Sequence, residues 1–257
     1  MSAPALASGR LMLMPNALDL GSDPVPLQDV LPVGVIAQAA ALQHWIAEDA
    51  RSARAFLKRV DALVPLVLPL QQLHLVELPR PRKGSQQAVS SAEWLALLAP
   101  ALAGKDIGLL SEAGLPAIAD PGAGLVAAAH AAGVQVQPLA GPSSLLLALA
   151  ASGLNGQSFA FVGYLPQEAA ARAARIRELE AGSRRLAQTQ ICIETPYRNT
   201  VLHGALLQSL APATWLSVSF GLTLPQGWTR TDTVAGWRSR PANLPDKLPA
   251  VFLWLGH

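Results

Sequence analysis

Short apolar runs alternate with longer helical segments through the middle of this chain. The segment SAEWLALLAPALAG is followed in turn by IGLLSEAG, GLVAAAHAAG, VQVQPLAG and SSLLLALAASGL. A run of four or five apolar residues bounded by turn residues is typical of a buried strand, whereas the longer segments have the length of helices. Strands and helices that alternate at this interval predict βαβ units and a largely parallel sheet.

Local signals predict where some of these elements begin and end. The run LMLM after Arg10 is expected to form a buried first strand that stops at Pro15. Residues 44–60 are predicted to form one amphipathic helix, because apolar residues recur there at helical spacing with charges between them. Ser91 is the predicted N-cap of the next helix, with Glu93 in its first turn.

The alternation restarts after Gly153 with a second set of elements. An apolar strand in FAFVGYLP precedes a charged helix from Gln167 to about Ala181, and further apolar strands lie in QICIETP, WLSVSFGL and AVFLWLG. We therefore predict an α/β protein of two lobes, residues 1–154 and 155–257, each with a mainly parallel or mixed sheet flanked by helices.

Composition limits the class of protein. Hydrophobic residues make up 51% of the 257 residues and charged residues only 14%, which excludes intrinsic disorder. The 19 basic and 17 acidic residues nearly balance, so a polyanionic partner is neither demanded nor excluded. The single Cys192 rules out an intramolecular disulfide, and the apolar stretches are shorter than the roughly 20 residues of a membrane span. We expect a cytoplasmic protein with no membrane partner, and the scattered histidines predict no metal site.

A glycine- and proline-rich segment follows the apolar run IGLL. It reads SEAGLPAIADPG over residues 111–122, and we call it the glycine loop. Loops at the carboxyl ends of strands are where open α/β sheets bind ligands, and glycine lets backbone groups approach a small molecule closely. Such a loop suits a nucleoside or an amino acid moiety. The alternative is a tight turn whose glycines serve only the path of the chain.

Six motifs occur in a fixed order between about residue 45 and residue 235. They are EDARSARAFL (48–57), SEAGLPAIADPG (111–122), GPSS (141–144), GYLP (163–166), ETPYR (194–198) and FGLTL (220–224). This set resembles the tetrapyrrole methylase superfamily, and within it the branch of small-subunit rRNA cytidine 2'-O-ribose methyltransferases. The corresponding motifs of that branch read roughly E-D-T-R-T-T-R-x-L-L, S-D-A-G-T-P-L-I-S-D-P-G, G-P-S, G-F-L-P, E-S-P-H-R and R-E-L-T-K.

The resemblance implies a two-lobed fold that binds S-adenosylmethionine in a cleft between the lobes, and it also implies a homodimer. The implied cofactor-binding residues are Pro15, Gly114, Leu115, Pro116, Ile118, Ala119, Ser143 and Ser144 in the first lobe and Tyr164, Ile193 and Glu194 in the second. Such a site needs an apolar slot for adenine and backbone hydrogen bonds, but no metal.

The first motif supplies candidates on the side of the substrate. A ribose hydroxyl has to lose its proton during methylation, and a carboxylate within reach can accept it. The candidate catalytic residues are Glu48, Asp49 and Arg51, the candidate substrate-binding residues are Arg54 and Arg198, and Glu112 and Glu194 are alternative proton acceptors. The alternative for the charges at 48–54 is an ordinary solvated helix face.

Two further basic segments are candidates for contact with nucleic acid. One holds Arg80, Arg82 and Lys83, and the other holds Arg172, Arg175, Arg177, Arg184 and Arg185. An ordinary soluble helix with interspersed glutamates looks the same as the second segment, so the stripe is one of two interpretations.

The leading prediction is 2'-O-methylation of ribose in the rRNA of the small ribosomal subunit. Methylation of a tetrapyrrole or another small molecule is the alternative within the same class. A noncatalytic regulatory protein that binds S-adenosylmethionine is the alternative from another class, because several motif positions differ from the family. Ala17 replaces a glycine, Leu115 a threonine, Tyr197 a histidine, and Phe220, Gly221 and Leu224 replace Arg, Glu and Lys.

Overall fold

A computed structural model of the chain describes residues 8–19, 21–79, 89–245 and 248–257. The described residues divide into two α/β units, one running up to Pro142 and the other Ser143–His257, with residues 21–23 grouped with the second. The division predicted from the sequence lies after residue 154. The difference is the helix α5 (Ser144–Ser152), which packs against three strands of the second sheet.

The first unit has a five-stranded sheet whose pairings are all parallel. Its elements are β1 (Arg10–Met14), α1 (Val33–Ala41), β2 (His44–Ala47), α2 (Ala50–Asp61), β3 (His74–Glu77), α3 (Ser91–Leu102), β4 (Ile107–Leu110), α4 (Ala123–Ala131) and β5 (Gln135–Pro138). The strand order is β3-β2-β4-β1-β5. The carboxyl ends of the five strands therefore lie at one edge of this sheet, which we call the first carboxyl edge.

Helices cover both faces of the first sheet. Helices α1 and α2 pack around Met14 and Phe56 on one face, and α3 and α4 pack around Leu11 and Leu109 on the other. These four side chains are at most 1% exposed, and full burial of such a side chain contributes about 1.5–3 kcal/mol. Because helices cover both faces of this parallel sheet, polar groups reach solvent at the ends of its strands.

The helix predicted over residues 44–60 is wrong in its first part. Trp45 and Ile46 lie in β2, and α2 begins only at Ala50. Asp49 separates the two elements, because its carboxylate accepts a hydrogen bond from the Ser52 amide at 2.8 Å and caps the helix. A four-residue strand buried on both faces has no alternation, so its apolar residues extend the helical pattern that follows.

The next helix begins one residue earlier than its predicted cap implies. Ser90, rather than Ser91, is the N-cap of α3, and it forms a capping box with Glu93. The Ser90 hydroxyl accepts from the Glu93 amide at 3.2 Å, and the Glu93 carboxylate accepts from the Ser90 amide at 2.8 Å.

The second unit has a mixed sheet. After α5 it contains β6 (Phe159–Gly163), α6 (Ala169–Leu186), β7 (Thr189–Glu194), α7 (Asn199–Ser209), β8 (Trp215–Phe220), β9 (Trp228–Thr233), α8 (Val234–Ser239) and β10 (Ala250–Leu255). The strand order is β6-β7-β10-β8-β9, with only β6 and β7 parallel. Because β10 is antiparallel to both of its neighbours, β6, β7 and β8 end at a common edge, which we call the second carboxyl edge.

Candidate functional site

The first carboxyl edge gathers the motifs of the first unit. In the parallel register, Met14 and Ala47 both lie level with Leu110, and Leu13 lies level with Pro138. The segments that follow these strands therefore leave the sheet side by side. They are the residues after β1 that include Pro15, the Glu48–Asp49 pair, the glycine loop, and the GPSS segment.

Asn16 ties the segment after β1 to the glycine loop. Its backbone exchanges hydrogen bonds with Gly114 in both directions, at N–O distances of 2.8 and 3.2 Å. Its side-chain amide donates to the carbonyls of Ser111 and Glu112, at 3.3 and 2.9 Å, and its Oδ1 accepts from the Ala17 amide. Asn16 is only 5% exposed, so these bonds hold the start of the loop in one arrangement. No sequence pattern singles out Asn16.

Four residues of the glycine loop adopt positive φ angles. They are Gly114 (67°), Ala117 (67°), Ala119 (63°) and Gly122 (129°). Glycine accepts this conformation readily, but an alanine pays roughly 1–2 kcal/mol for it. Strained backbone of this kind persists only where its surroundings hold it, and it clusters at ligand sites. This favours a shaped binding surface over a turn that serves only the path of the chain.

Three carboxylates gather at the first carboxyl edge, on Glu48, Glu112 and Asp120. A Glu48 carboxylate oxygen accepts from the Glu112 backbone amide at 3.3 Å, and the Ser52 hydroxyl donates to the Glu112 carboxylate at 2.9 Å. Partial burial, together with the charges of Glu48 and Glu112, raises the pKa of Asp120 from 3.8 to about 7. Asp120 can therefore hold or release a proton near neutral pH.

Part of this cluster is predictable from the sequence. Glu48 was a catalytic candidate and Glu112 an alternative, but Asp120 was not singled out, although it stands in the ADPG end of the glycine loop. Asp49 is placed as the cap of α2, and Arg51 and Arg54 are exposed on that helix. The sequence around a carboxylate in a loop does not reveal which groups lie near it in space, and only the fold brings these acids together.

An apolar groove of about 450 Å³ lies beside the glycine loop. It is lined mainly by Leu13, Leu115, Pro116, Ile118, Val126 and Pro138. Three of these, Leu115, Pro116 and Ile118, are predicted cofactor-binding residues. The volume lies within the range of about 300–1,000 Å³ that is typical of ligand pockets, and an apolar lining suits a flat ring.

A second cavity, of about 380 Å³, lies at the opposite edge of the first sheet. It is lined by residues that include Arg10, His44, Lys105 and Asp106, and by no predicted site residue. The Arg10 guanidinium is held by Asp106 at 2.5 Å and donates to Gln137. These bonds join the strand starts, so Arg10 and Asp106 have a structural role.

Gly141, the first residue of the GPSS segment, packs closely against Pro15. A Cβ added at Gly141 would lie 2.2 Å from the Pro15 Cβ, so only glycine fits there. Ser143 is the buried N-cap residue of α5, although its side chain makes no capping hydrogen bond within the part of the chain described, and Ser144 begins the helix. The fold therefore brings Pro15 close to the GPSS segment.

The second carboxyl edge gathers the motifs of the second unit. Glu194 and Phe220 are both level with Ala250, and Gly163 is level with Cys192. The segments GYLP, ETPYR and FGLTL therefore follow strand ends at this one edge. Tyr164 is 59% exposed, and Ile193 is partly buried beside the apolar cluster under α5.

Two predicted site residues of the second unit bind each other. The buried Glu194 carboxylate accepts from Arg198 Nε at 3.0 Å and from the Thr195 amide at 2.9 Å. Arg198 was predicted to bind substrate and Glu194 to bind cofactor. Their charges largely neutralise each other at this edge.

The basic segment 172–185 does not form the uniform stripe considered in the sequence analysis. Arg172 is 7% exposed, and its guanidinium donates to the carbonyls of Pro166 and Gln167. Arg175 forms an ion pair with Glu178 at 2.7 Å. Residues 80–83 lie outside the described residues.

Two absences concern only the residues that the structure describes. None of their helices has both the length and the apolar character that a membrane crossing requires. Their His, Cys, Asp and Glu side chains form no group of three or more placed to hold a metal ion.

Comparison with known sequences identifies relatives. A family model described as Tetrapyrrole (Corrin/Porphyrin) Methylases matches residues 33–214. The Ribosomal RNA small subunit methyltransferase I of Mycobacterium tuberculosis (strain ATCC 25618 / H37Rv) is 35% identical over 193 residues, which are 75% of this chain and 59% of that protein. The protein of the same name from Vibrio cholerae is 45% identical over 97 residues, 38% of this chain and 32% of the relative. The chain thus spans from about a third to three fifths of the length of these relatives.

Comparison with solved structures identifies the fold. Uroporphyrin-III-C-methyltransferase from Thermus thermophilus aligns with a TM-score of 0.51 and 19% identity, covering 96% of this chain and 92% of that one. The methyltransferase CobJ aligns with a TM-score of 0.55 and 18% identity, covering 97% and 95%. The predicted α/β fold with two sheets flanked by helices is confirmed.

Proposed function

This chain belongs to the tetrapyrrole methylase family, and from that premise we propose that it is a methyltransferase that uses S-adenosylmethionine. We propose a ribose 2'-hydroxyl of small-subunit rRNA as the methyl acceptor. The relatives that support this acceptor are 35–45% identical and carry the name of an rRNA methyltransferase, whereas the solved structures named for porphyrin chemistry are below 20% identical.

The residues around the glycine loop fit the cofactor. The apolar groove offers Leu115, Pro116 and Ile118 to the adenine ring, and the strained backbone at Ala117 and Ala119 shapes the loop that would meet its polar parts. When bound, S-adenosylmethionine supplies an electrophilic methyl group on a positively charged sulfur. Further contacts are proposed from the resemblance alone for Pro15, Gly114, Ser143, Ser144, Tyr164, Ile193 and Glu194.

We assign the role of proton acceptor to Asp120. The raised pKa of this side chain, near 7, is the observation that carries the assignment, because a general base works best when its pKa lies near the working pH. Glu48 and Glu112 contribute by raising that pKa, and a cation at this edge would favour the ionised carboxylate of Asp120. Asp49 is assigned to capping α2 rather than to proton transfer.

Two further properties are proposed from the resemblance. We propose that the protein acts as a homodimer and that it works in the cytoplasm. Light scattering of the purified chain tests the first proposal, because it measures the mass of the particle directly.

A noncatalytic protein that binds S-adenosylmethionine is the second candidate. It is favoured by the FGLTL segment, where Phe220 is buried in the apolar core of the second unit and Leu224 is also buried. The family pattern has Arg and Lys at these two positions, so the segment contributes packing here instead of cations.

The test combines binding with transfer. Calorimetry of the full chain with S-adenosylmethionine and with its demethylated product measures cofactor binding. Transfer of labelled methyl groups to small ribosomal subunits that lack the modification, followed by nuclease digestion and mass spectrometry, locates the methyl group. We expect binding of both compounds and a methyl group on one ribose.

Each other outcome selects an alternative. Binding without transfer to RNA favours the noncatalytic protein, and transfer to a porphyrinogen instead of RNA favours a tetrapyrrole acceptor. No binding of either compound contradicts the proposed function.

A further inference from the structure

Three cations form an exposed stripe along α2. They are Arg51, Arg54 and Lys58, which we call the α2 stripe. An α-helix turns by about 100° and rises by about 1.5 Å per residue, so the three side chains lie within about 60° of arc and along about 10 Å of the helix axis. The opposite face buries Ala53, Phe56, Leu57 and Val60, so packing fixes the stripe toward solvent.

The stripe carries charge that its described neighbours do not neutralise. Within the described ranges no carboxylate forms an ion pair with any of the three cations. Arg59, the fourth basic residue of α2, differs, because Asp19 binds it at 2.9 Å and the Val25 carbonyl accepts from it. Asp61 at the end of the helix accepts a hydrogen bond from the Leu66 amide. The formal charge of the whole chain is only +2, so three cations on one helix face create a local region of positive potential.

The stripe begins beside the carboxylates of the first carboxyl edge. In the first turn of α2, the Ser52 hydroxyl binds the Glu112 carboxylate at 2.9 Å and the Ala50 amide donates to Glu77 at 2.8 Å. The helix is therefore held at its amino end against the loop that contains Asp120, and the stripe leads away from that point. A polyanion on the stripe would have one end at the candidate reaction site.

We propose that the α2 stripe binds successive phosphates of the RNA strand whose ribose is presented to Asp120. This inference rests on the proposed function, and it adds Lys58 to the substrate contacts. Cations on a rigid helix bind phosphates without reading the bases, so they fix the position of the strand and not its sequence. The phosphates of a single RNA strand carry one charge each at regular intervals, so a line of three cations can contact several of them in succession.

The experiment measures RNA binding by the full chain without cofactor. The probe is a fluorescein-labelled single-stranded RNA of mixed sequence and about 16 nucleotides, followed by anisotropy. The stripe variant is R51Q/R54Q/K58Q, and the matched control is R177Q/R184Q/R185Q, which removes the same charge from exposed positions of α6. Circular dichroism and thermal melting check that both variants fold.

The expected result is a change in salt dependence. Between about 50 and about 200 mM KCl, log K falls with log salt, and this negative slope should become less steep by about 2 in the stripe variant, since each phosphate contact on a single strand contributes about 0.7. The control should keep the wild-type slope to within about 0.5. The charge-preserving variant R51K/R54K should also keep the wild-type slope, because it retains the same number of cations to bind the phosphates.

Two results would overturn the inference. One is a stripe variant that binds as the wild type does, which would make the stripe an ordinary solvated face. The other is an equal loss in the stripe variant and the α6 control, which would show that only total charge matters. Calorimetry with S-adenosylmethionine on the same preparations separates the two proposals, because the stripe does not line the proposed cofactor groove. If the wild type fails to bind the cofactor, the proposed function fails whatever the RNA data show.

Discussion

Each unit contains a partly or fully buried group with a shifted pKa, and the two groups lie in opposite surroundings. At the first carboxyl edge, burial and two like charges raise the pKa of Asp120 to about 7. In the second unit, burial and the nearby Arg230 lower the pKa of His203 to about 4. His203 packs edge-on against Trp237, with ring centroids 4.9 Å apart, and is 7% exposed. Asp120 remains partly exposed at the end of a loop.

The two pKa shifts share one physical cause but lie in different surroundings. In both places the charged form is disfavoured because water is removed from it. Of the two groups, Asp120 is the more exposed and has further carboxylates beside it, whereas His203 is buried beside an arginine. We therefore propose a function for the shift at Asp120 and assign the shift of His203 to packing in the core.

The largest effect is expected from removing the proposed proton acceptor. Asp120→Asn should lower the single-turnover rate of methyl transfer by about 10²–10⁴-fold, the range typical of general acid–base groups. The affinity for S-adenosylmethionine should stay within about threefold, because the acid acts on the acceptor. Rates are measured on unmodified small subunits, with Asp29→Asn as an exposed control. A variant rate within threefold of the wild type would end the assignment.

The second prediction concerns the stability of the second unit at low pH. The folded-state pKa of His203, about 4, is below the ordinary value of 6.5, so the unfolded chain binds the proton more readily. Stability is fully present above about pH 6.5 and is lost as the pH falls toward 4, by about 3 kcal/mol in the free energy of unfolding.

The matched variants isolate the contribution of this histidine. His203→Phe keeps a ring against Trp237 and should flatten the loss, whereas His257→Gln, at an exposed position, should leave it unchanged. Urea denaturation at several pH values measures both. An unchanged loss in His203→Phe would contradict a neutral, buried His203.

In the first unit, Asp120 is expected to have a smaller effect on stability, and the pH dependence runs in the direction opposite to that of His203. The folded-state pKa of Asp120 is above its unfolded value of 3.8, so stability falls as the pH rises from about 4 to about 7. Asp120→Asn removes this cost and should raise the free energy of unfolding by roughly 1–3 kcal/mol at about pH 8, after allowing for solvent screening. The gain should vanish near about pH 4, where the acid is protonated in both states. A gain that does not depend on pH would point to packing instead of charge.

The smallest effect tests the coupling among the carboxylates. Glu48→Gln removes one like charge, so the pKa of Asp120 should fall. Carboxyl ¹³C NMR titration follows that resonance directly, with Asp120→Asn to assign it. Glu77→Gln, which removes the acid bound to the Ala50 amide, is the control. An Asp120 titration that is the same in Glu48→Gln and wild type would show that burial alone raises the pKa.

Much of the first unit was predictable from the sequence. Strands β1 and β4 are short apolar runs, and the motifs of this unit all follow strands of one parallel sheet, so they had to meet at one edge. The error at β2 has a physical cause. Trp45 and Ile46 are buried on opposite faces of the sheet, in different apolar clusters, so no alternation distinguishes them from the start of the helix that follows.

The second unit and the carboxylate cluster were harder to predict. Strand β9 reads WTRTDT and carries polar residues on both faces, because hydrogen bonds such as Thr231 to Ser217 replace apolar contacts. The burial of Arg172 depends on two carbonyls that precede its own helix. The pKa of Asp120 depends on side chains from two separated segments, the glycine loop and the residues before α2, and no local pattern encodes that sum.

The pH dependence of methyl transfer tests the central claim most directly. We would measure the single-turnover rate of the wild type on unmodified small ribosomal subunits between about pH 5.5 and about pH 9. The account predicts a rate that rises about tenfold per pH unit and levels off above a midpoint near pH 7, with this step absent in Asp120→Asn. A flat profile in the wild type, or the same midpoint in the variant, would contradict it.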